Sequence, residues 1–416
     1  MNETNSLEQN LSSIATEIKA SVPGIEGWPD SNLTYFLSRQ IADNGSNLYR
    51  FKAQLFEDAR FSRLKSGWIQ SLGVGMAVGD HMLPLLLVSD TIKGEVPDRV
   101  ISRYCAFGER RRSPVRCYFA VSSCTVSQAV QIQPHIRLLP FSDLPSSRAK
   151  DLFGGIRRND RYNYDAFFPM INTSDCAIEI DPNYDLLLYE NDNKAQDKNI
   201  DEIFSRNDLI SHNIICCIFL QSLNPVDISG SWTEALDPAA NRLLPSALSY
   251  RKALLDYSLL GVGSSGVNGD ELAARYRQLA RMESADQEVV RLAVDRLNSA
   301  ARPGSLVDRA LDLGIALEML LSHGNKDKNI QELRFRLSLH GAKFLGGAEE
   351  EQRKILKFLM DIYALRSKAV HQGRLENKEL EKHQNLIDIG IRISRDIIIK
   401  IIDRGDFPDW MNDCVI

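Results

Sequence analysis

Arg366 and His371 are the two residues whose types and placement best suit work on a phosphate and a proton. They lie in the run Tyr363-Ala364-Leu365-Arg366-Ser367-Lys368-Ala369-Val370-His371-Gln372-Gly373. Leu359, Ile362, Arg366 and Val370 recur at spacings of three and four, so one helical face carries the arginine among apolar neighbours. A guanidinium on a core-facing stripe is costly unless an anion meets it. That anion is either a carboxylate of the same bundle, such as Glu318, or a ligand phosphate. His371 falls in the last turn before Gly373, where the helix dipole favours a positive charge. Imidazole titrates near neutrality, so a histidine there suits a general acid or base. On an ideal helix five positions turn a side chain by about 140° and raise it by about 7.5 Å. Arg366 and His371 therefore meet one target only if the helix breaks near Ser367, or if two copies of the motif face each other across a dimer.

Other candidates are weaker. Arg110, Arg111 and Arg112, with Arg103 and Arg116 nearby and Tyr104, Phe107 and Tyr118 interleaved, form a patch able to hold RNA backbone. Three adjacent arginines in a turn are more commonly just solvated. His323 and His340 stand beside glycines and read as helix ends, while Lys382 and His383 read as a solvated charged face. The seven cysteines show no CxxC and no zinc spacing, and are read as buried or inert thiols. Neither a metal nor a cofactor is implied. Gly261–Gly266 matches GxGxxG, but that motif binds a dinucleotide only between a strand and a helix of a βαβ unit. A helical pattern precedes it here, so residues 259–269 are expected to be a flexible linker rather than a phosphate loop.

The linker separates two styles of sequence. Residues 1–258 read as an α+β domain, a candidate sensor or regulatory module. Its helices are expected at Leu7–Ala20 and around Tyr250–Leu260. Strands are expected at Leu85–Val88, Val115–Val121, Val130–Ile132, Ile178–Ile180 and Leu186–Tyr189. Ser89-Asp90, Gly94–Pro97 and Arg112–Pro114 read as turns, and Glu190–Asp201 as a solvated loop. Residues 270–405 read as an all-α bundle of about five helices, followed by a tail at 406–416. Asp270, Ser284 and Ser305 are the expected caps, with capping boxes at the latter two. Gly324, Gly346-Gly347, Gly373 and Gly405 mark helix ends. Ile387–Ile393 alternates like a strand, yet Ile387, Ile391, Ile398 and Ile402 favour a helix.

Composition sets the outer limits. The 416 residues carry 50 Lys and Arg against 55 Asp and Glu, a formal net charge of -5, with 44% hydrophobic residues. At roughly 150 residues per domain this suggests two or three domains with real cores. A generally basic nucleic-acid coat is excluded, so phosphate contacts must be local. No stretch approaches the roughly 20 apolar residues of a membrane span. The N-terminus lacks a signal-peptide pattern, so a cytoplasmic protein is expected.

Arg366-Ser367-Lys368-Ala369-Val370-His371 resembles the R-x4-6-H signature of the HEPN superfamily (higher eukaryotes and prokaryotes nucleotide-binding). The surrounding segments are similar to its ApeA-like branch. They are Val294–Asn298, Ala310–Leu321 with Glu318, Glu332–Leu337, Asp361–Ser367 and Val370–Gly373, so the likeness covers about a third of the chain. It implies a helical bundle that forms a homodimer and brings two motifs into one cleft. It further implies a metal-independent endoribonuclease of a toxin, abortive-infection or antiviral defence system. Arg366 would bind the scissile phosphate. His371 would exchange protons with the 2′-hydroxyl or the leaving 5′-oxygen. Ser367 and Lys368 would support them, and Glu318 would orient them. A protein or phage trigger would act at the N-terminal domain. A non-catalytic HEPN module, binding nucleotide or RNA or serving only as a dimerisation scaffold, is the alternative.

Overall fold

The computed structural model describes residues 6–28, 30–71, 74–79, 82–145, 147, 150, 175–181, 185–190, 198–244, 249–250, 263–324, 333–375 and 379–410. From the N-terminus, α1 (Leu7–Ser21), α2 (Asp30–Ile41), α3 (Asn47–Glu57) and α4 (Ser62–Lys65) precede the hairpin β1 (Gly67–Ser71) and β2 (Val74–Ala77). Next come α5 (Met82–Ile92), α6 (Pro97–Arg110) and β3 (Arg112–Ser122). Short strands β4 (Cys124–Thr125), β5 (Val130–Gln133) and β6 (Ile136–Pro140) follow, then β7 (Cys176–Ile180) and β8 (Asp185–Glu190). The long helix α7 (Lys198–Ser222) leads to β9 (Asp227–Ala235), α8 (Pro238–Leu243) and β10 (Ser249–Tyr250).

β3 is the spine of an antiparallel sheet ordered β2-β1-β8-β3-β7-β6-β5, with β9 paired along the other edge of β3. Alternation in β3 divides its side chains between two cores. Cys117, Phe119 and Val121 face one way, while Tyr118 and Ala120 face Trp232, Phe141 and Leu144. Tyr118 stacks on Trp232 at 5.1 Å between ring centres. A separate apolar cluster joins α1–α6 and α8 to Ile69, Val115, Leu186 and Leu188.

Four expectations fail in this region. Leu85–Val88 is not a strand; it lies inside α5, whose residues Leu83 through Ile92 are all buried. A helix enclosed on every side loses its 3.6-residue pattern, so the run has no diagnostic period. Ser89 and Asp90 are not a turn either. Asp90 is buried in the same helix, where Arg103 (2.6 Å), Arg242 (2.7 Å) and the Tyr104 hydroxyl (2.9 Å) surround its carboxylate. Arg112–Pro114 likewise opens β3 opposite Asp185–Leu187 rather than forming a turn. The expected loop at Glu190–Asp201 gives way to α7 from Lys198. The helix expected around Tyr250–Leu260 lies outside the described residues, save that Tyr250 ends β10.

The C-terminal region is helical. It comprises α9 (Gly269–Leu279), α10 (Ser284–Ala301), α11 (Leu306–Ser322), α12 (Leu333–Leu345), α13 (Glu349–Gln372) and α14 (Leu380–Arg404). Ser305 caps α11 as expected, but Asn268 rather than Asp270 caps α9, and Ser284 opens α10 without a side-chain cap. Gly324, Gly346, Gly347, Gly373 and Gly405 all hold positive φ at helix ends. Ile387, Ile391, Ile398 and Ile402 are buried along α14, which settles the ambiguous stretch as helix.

Ser265–Gly266 forms β11, parallel to β4. The Asn268 main chain exchanges two hydrogen bonds of 3.1 Å with the Gln221 side chain. From Gly263 onward the glycine-rich stretch is thus held to β4 and to α7, unlike a free linker. Apolar packing also crosses it. One cluster runs from Cys117, Phe119 and Val121 through Ile214–Leu220 of α7 into α9–α14. Asn298 of α10 adds a polar tie: its side chain accepts from the Val226 N–H (3.0 Å) and donates to the Val226 carbonyl (2.7 Å).

Candidate functional site

α11 and α13 pack side by side and set Arg366 against Glu318. Their contact is a two-pronged ion pair, Nη1 to Oε1 at 2.9 Å and Nη2 to Oε2 at 2.9 Å. This fork-to-fork geometry is the strongest form of an arginine–carboxylate contact. Of the two anions considered for Arg366, the bundle carboxylate is the one in place. Both side chains keep about 30% exposure, so the pair sits at the rim of the bundle rather than in its centre. Burial pushes the Glu318 carboxyl above its usual range, and the Arg366 charge pulls it back.

A small residue makes the approach feasible. Gly314, one helical turn before Glu318, lies under the Arg366 stem; a Cβ there would stand 2.8 Å from its Cγ and 2.9 Å from its Nε. The same device recurs at Gly390, where a Cβ would meet Leu313 at 2.6 Å and Ile362 at 2.8 Å. Tyr363, one turn before Arg366, is buried, and its hydroxyl makes no hydrogen bond among the described residues. Arg366 Nε is also buried and unpartnered there.

His371 does not join this cluster. α13 runs unbroken from Glu349 to Gln372 and ends at Gly373, which holds φ 61°. There is no break near Ser367 to swing the histidine round. His371, Ser367 and Lys368 are exposed, while Arg366 is half-buried against α11. Within one chain the five residues of the candidate set therefore divide. Arg366 and Glu318 are bound together, and Ser367, Lys368 and His371 face solvent.

The remaining candidates separate further. Arg110 pairs with Asp237, Arg103 with Asp90 and Glu95, and Arg116 with Asp181. Arg111 closes α6 at φ 59° and Arg112 begins β3. Tyr104, Phe107 and Tyr118 are fully buried, so the interleaved aromatics offer no face to a nucleobase. His340 is not a helix end but lies inside α12, stacked on Trp410 at 5.6 Å. His383 is not solvated; it is buried in α14, 3.3 Å from Glu379. His323 does cap α11, and its ring meets Asp286 at 3.0 Å. Cys117, Cys124, Cys176, Cys216 and Cys217 are buried and form no disulfide.

Sequence patterns gave no notice of a second polar group. His212, Asp227, Asp295, Asn298 and Arg302 line a cleft of about 190 Å³ between α7, β9 and α10. Arg302 pairs with Asp227 at 2.5 Å. Burial lowers the affinity of His212 for a proton and raises that of Asp295. His212 and Asp227 come from segments far from Asp295 in sequence, so only the fold brings them together. Among the described residues, no group of three His, Cys, Asp or Glu side chains is arranged to hold a metal ion. Nor is any helix among them long and apolar enough to cross a membrane. No protein-family model matches this chain, and no curated protein or solved structure does either.

Proposed function

We propose that the helical region, residues 270–405, is a HEPN-type endoribonuclease that acts as a homodimer without a metal and serves as a cytoplasmic effector of a defence or toxin system. The observation that carries this is the placement of Arg366. A bidentate anion-binding side chain sits at the rim of the bundle, on a helix whose last turn presents an exposed histidine. The unbroken helix turns Arg366 and His371 apart, which favours a composite site in which a second copy supplies the opposing pair. In that site the RNA 2′-oxygen attacks the adjacent phosphorus and the 5′-oxygen leaves, giving a 2′,3′-cyclic phosphate and a 5′-hydroxyl. One His371 accepts the 2′ proton and the other donates to the departing oxygen. Arg366 neutralises the charge that grows on the phosphoryl oxygens. The α+β region would restrain or trigger the nuclease.

The Glu318–Arg366 pair supports a second reading, in which Arg366 is a structural ion-pair partner and the module binds nucleotide or RNA, or only dimerises. Incubating the purified chain with total RNA in EDTA separates the two. The nuclease predicts cleavage that is lost in both Arg366→Ala and His371→Ala. An intact RNA pool, or cleavage that needs a metal, overturns the proposed chemistry.

A further inference from the structure

The closed ion pair raises a physical problem for any phosphate ligand of Arg366. Both Nη atoms are engaged by Glu318 and Nε is buried, so the guanidinium can turn its two-pronged Nη fork onto a phosphodiester only by leaving the carboxylate. Glu318 would then remain half-buried with no cation, a costly state unless another donor reaches it. Tyr363 supplies a buried, unused donor one helical turn from Arg366. It stands near enough for the charges of both Glu318 and Arg366 to act on it. Its hydroxyl is buried and unpartnered, although phenylalanine would fill the same volume without stranding a polar atom. Burial and the neighbouring Glu318 carboxylate keep the phenol protonated, so it stays a donor.

We propose that Tyr363 is a positioning residue, the reserve hydrogen-bond partner of Glu318 that lets Arg366 exchange its internal carboxylate for an external phosphodiester. This rests on the reading that Arg366 meets a phosphate. In the closed state Arg366 forks onto Glu318 and the phenol is idle. In the open state the phenol donates to Glu318, and Arg366 forks onto the phosphate. The unpaired Nε of Arg366 gains an acceptor in the same movement, since guanidinium offers five donors and Glu318 takes only two.

A thermal-denaturation cycle on the full chain tests the exchange without reference to catalysis. Arg366→Met keeps the stem packed over Gly314 and removes the charge, leaving Glu318 to Tyr363. Tyr363→Phe alone should leave the melting temperature unchanged or slightly higher, because the lost hydroxyl has no partner. In the Arg366→Met background it should lower the melting temperature by several degrees, and adding Glu318→Gln should shrink that loss. Equal effects of Tyr363→Phe in both backgrounds would overturn the proposal. A second measurement uses a 2′-O-methyl RNA oligonucleotide, which cannot be cut. Tyr363→Phe should weaken its binding several-fold in the otherwise native chain and leave it unchanged beside Glu318→Gln. If the native chain does not bind the oligonucleotide, the ribonuclease reading fails, whereas the melting cycle still decides whether Tyr363 exchanges with Arg366.

Discussion

Gly314→Ala puts two opposing effects on one scale. Alanine is better than glycine in a helix interior by about 1 kcal/mol, so on propensity alone the substitution should stabilise α11. The new Cβ, however, would stand 2.8 Å from Cγ and 2.9 Å from Nε of Arg366, about 1 Å inside ordinary contact. Neither atom is a free chain end, so the whole arginine stem has to shift. Overpacking of this kind costs about 1–3 kcal/mol. The shift also draws the guanidinium off Glu318. Because both partners are about 30% exposed, that loss is held to about 1 kcal/mol by solvent screening. The balance is a destabilisation of about 1–3 kcal/mol, or a fall in melting temperature of roughly 1–4 °C for a chain of 416 residues. Calorimetry measures it, with Gly304→Ala as the comparison because nothing lies within 4 Å of a Cβ there. A rise in melting temperature at Gly314→Ala would refute the close packing of Arg366 on α11. On the proposed function the same variant loses RNA cleavage, since the displaced stem misplaces its guanidinium.

Three further outcomes are expected. His371→Ala should remove RNA cleavage while changing stability by no more than about 0.5 kcal/mol, because the side chain is exposed; paired melting and cleavage assays check both. Asn298→Ala should cost about 2–4 kcal/mol in chemical denaturation, since it strands the buried N–H and carbonyl of Val226 and unties α10 from the start of β9. Stability should fall as pH drops below about 6.5, because burial, aided by the Arg336 charge, lowers the pKa of His340. The unfolded chain then takes up its proton first. The His340 contribution is therefore full above the ordinary histidine pKa and is lost through it on the way down to the folded value. Melting curves between about pH 7.5 and about pH 5.5 should flatten in His340→Gln.

Elements with a local signature were legible in the sequence, and elements defined by distant partners were not. β3 announced itself through the apolar, β-branched run Val115–Val121, and α11 through Ser305 and the closing Gly324. α5 did not, because a helix enclosed on every side shows no polar face, and Pro84 near its start reads as a breaker. Asp90 looked like turn chemistry because its partners, Arg103, Tyr104 and Arg242, are assembled only by tertiary packing. The same limit applies to His340 and His383: a glycine or lysine neighbour suggested exposure, whereas burial was decided by Trp410 and by the packing of α14. At the candidate site, the cost of an arginine on an apolar stripe was enough to require an anion, with a carboxylate such as Glu318 and a ligand phosphate both left open until the fold put Glu318 in place. Gly314 and the idle Tyr363 hydroxyl carry no such cost in sequence, since each matters only once α11 and α13 meet.

Within the proposed function, the unbroken course of α13 sharpens the need for a second copy. Had the helix opened near Ser367, one chain alone could have aimed Arg366 and His371 at a single phosphate. With the helix continuous to Gln372, the two residues keep the separation in direction that an α-helix imposes. A phosphate held by Arg366 must then take its protons from elsewhere, and a second α13 related by a two-fold axis is the simplest source of a histidine at the opposite end. The net charge of -5 acts in the same direction. On the proposed function, RNA would not be drawn to the surface as a whole, so its binding would depend on local cations such as Arg366 and Lys368, and doubling them across an axis would strengthen the local field where the backbone would lie. A chain that stays monomeric at the concentrations where RNA is cut would break this chain of reasoning at its first step.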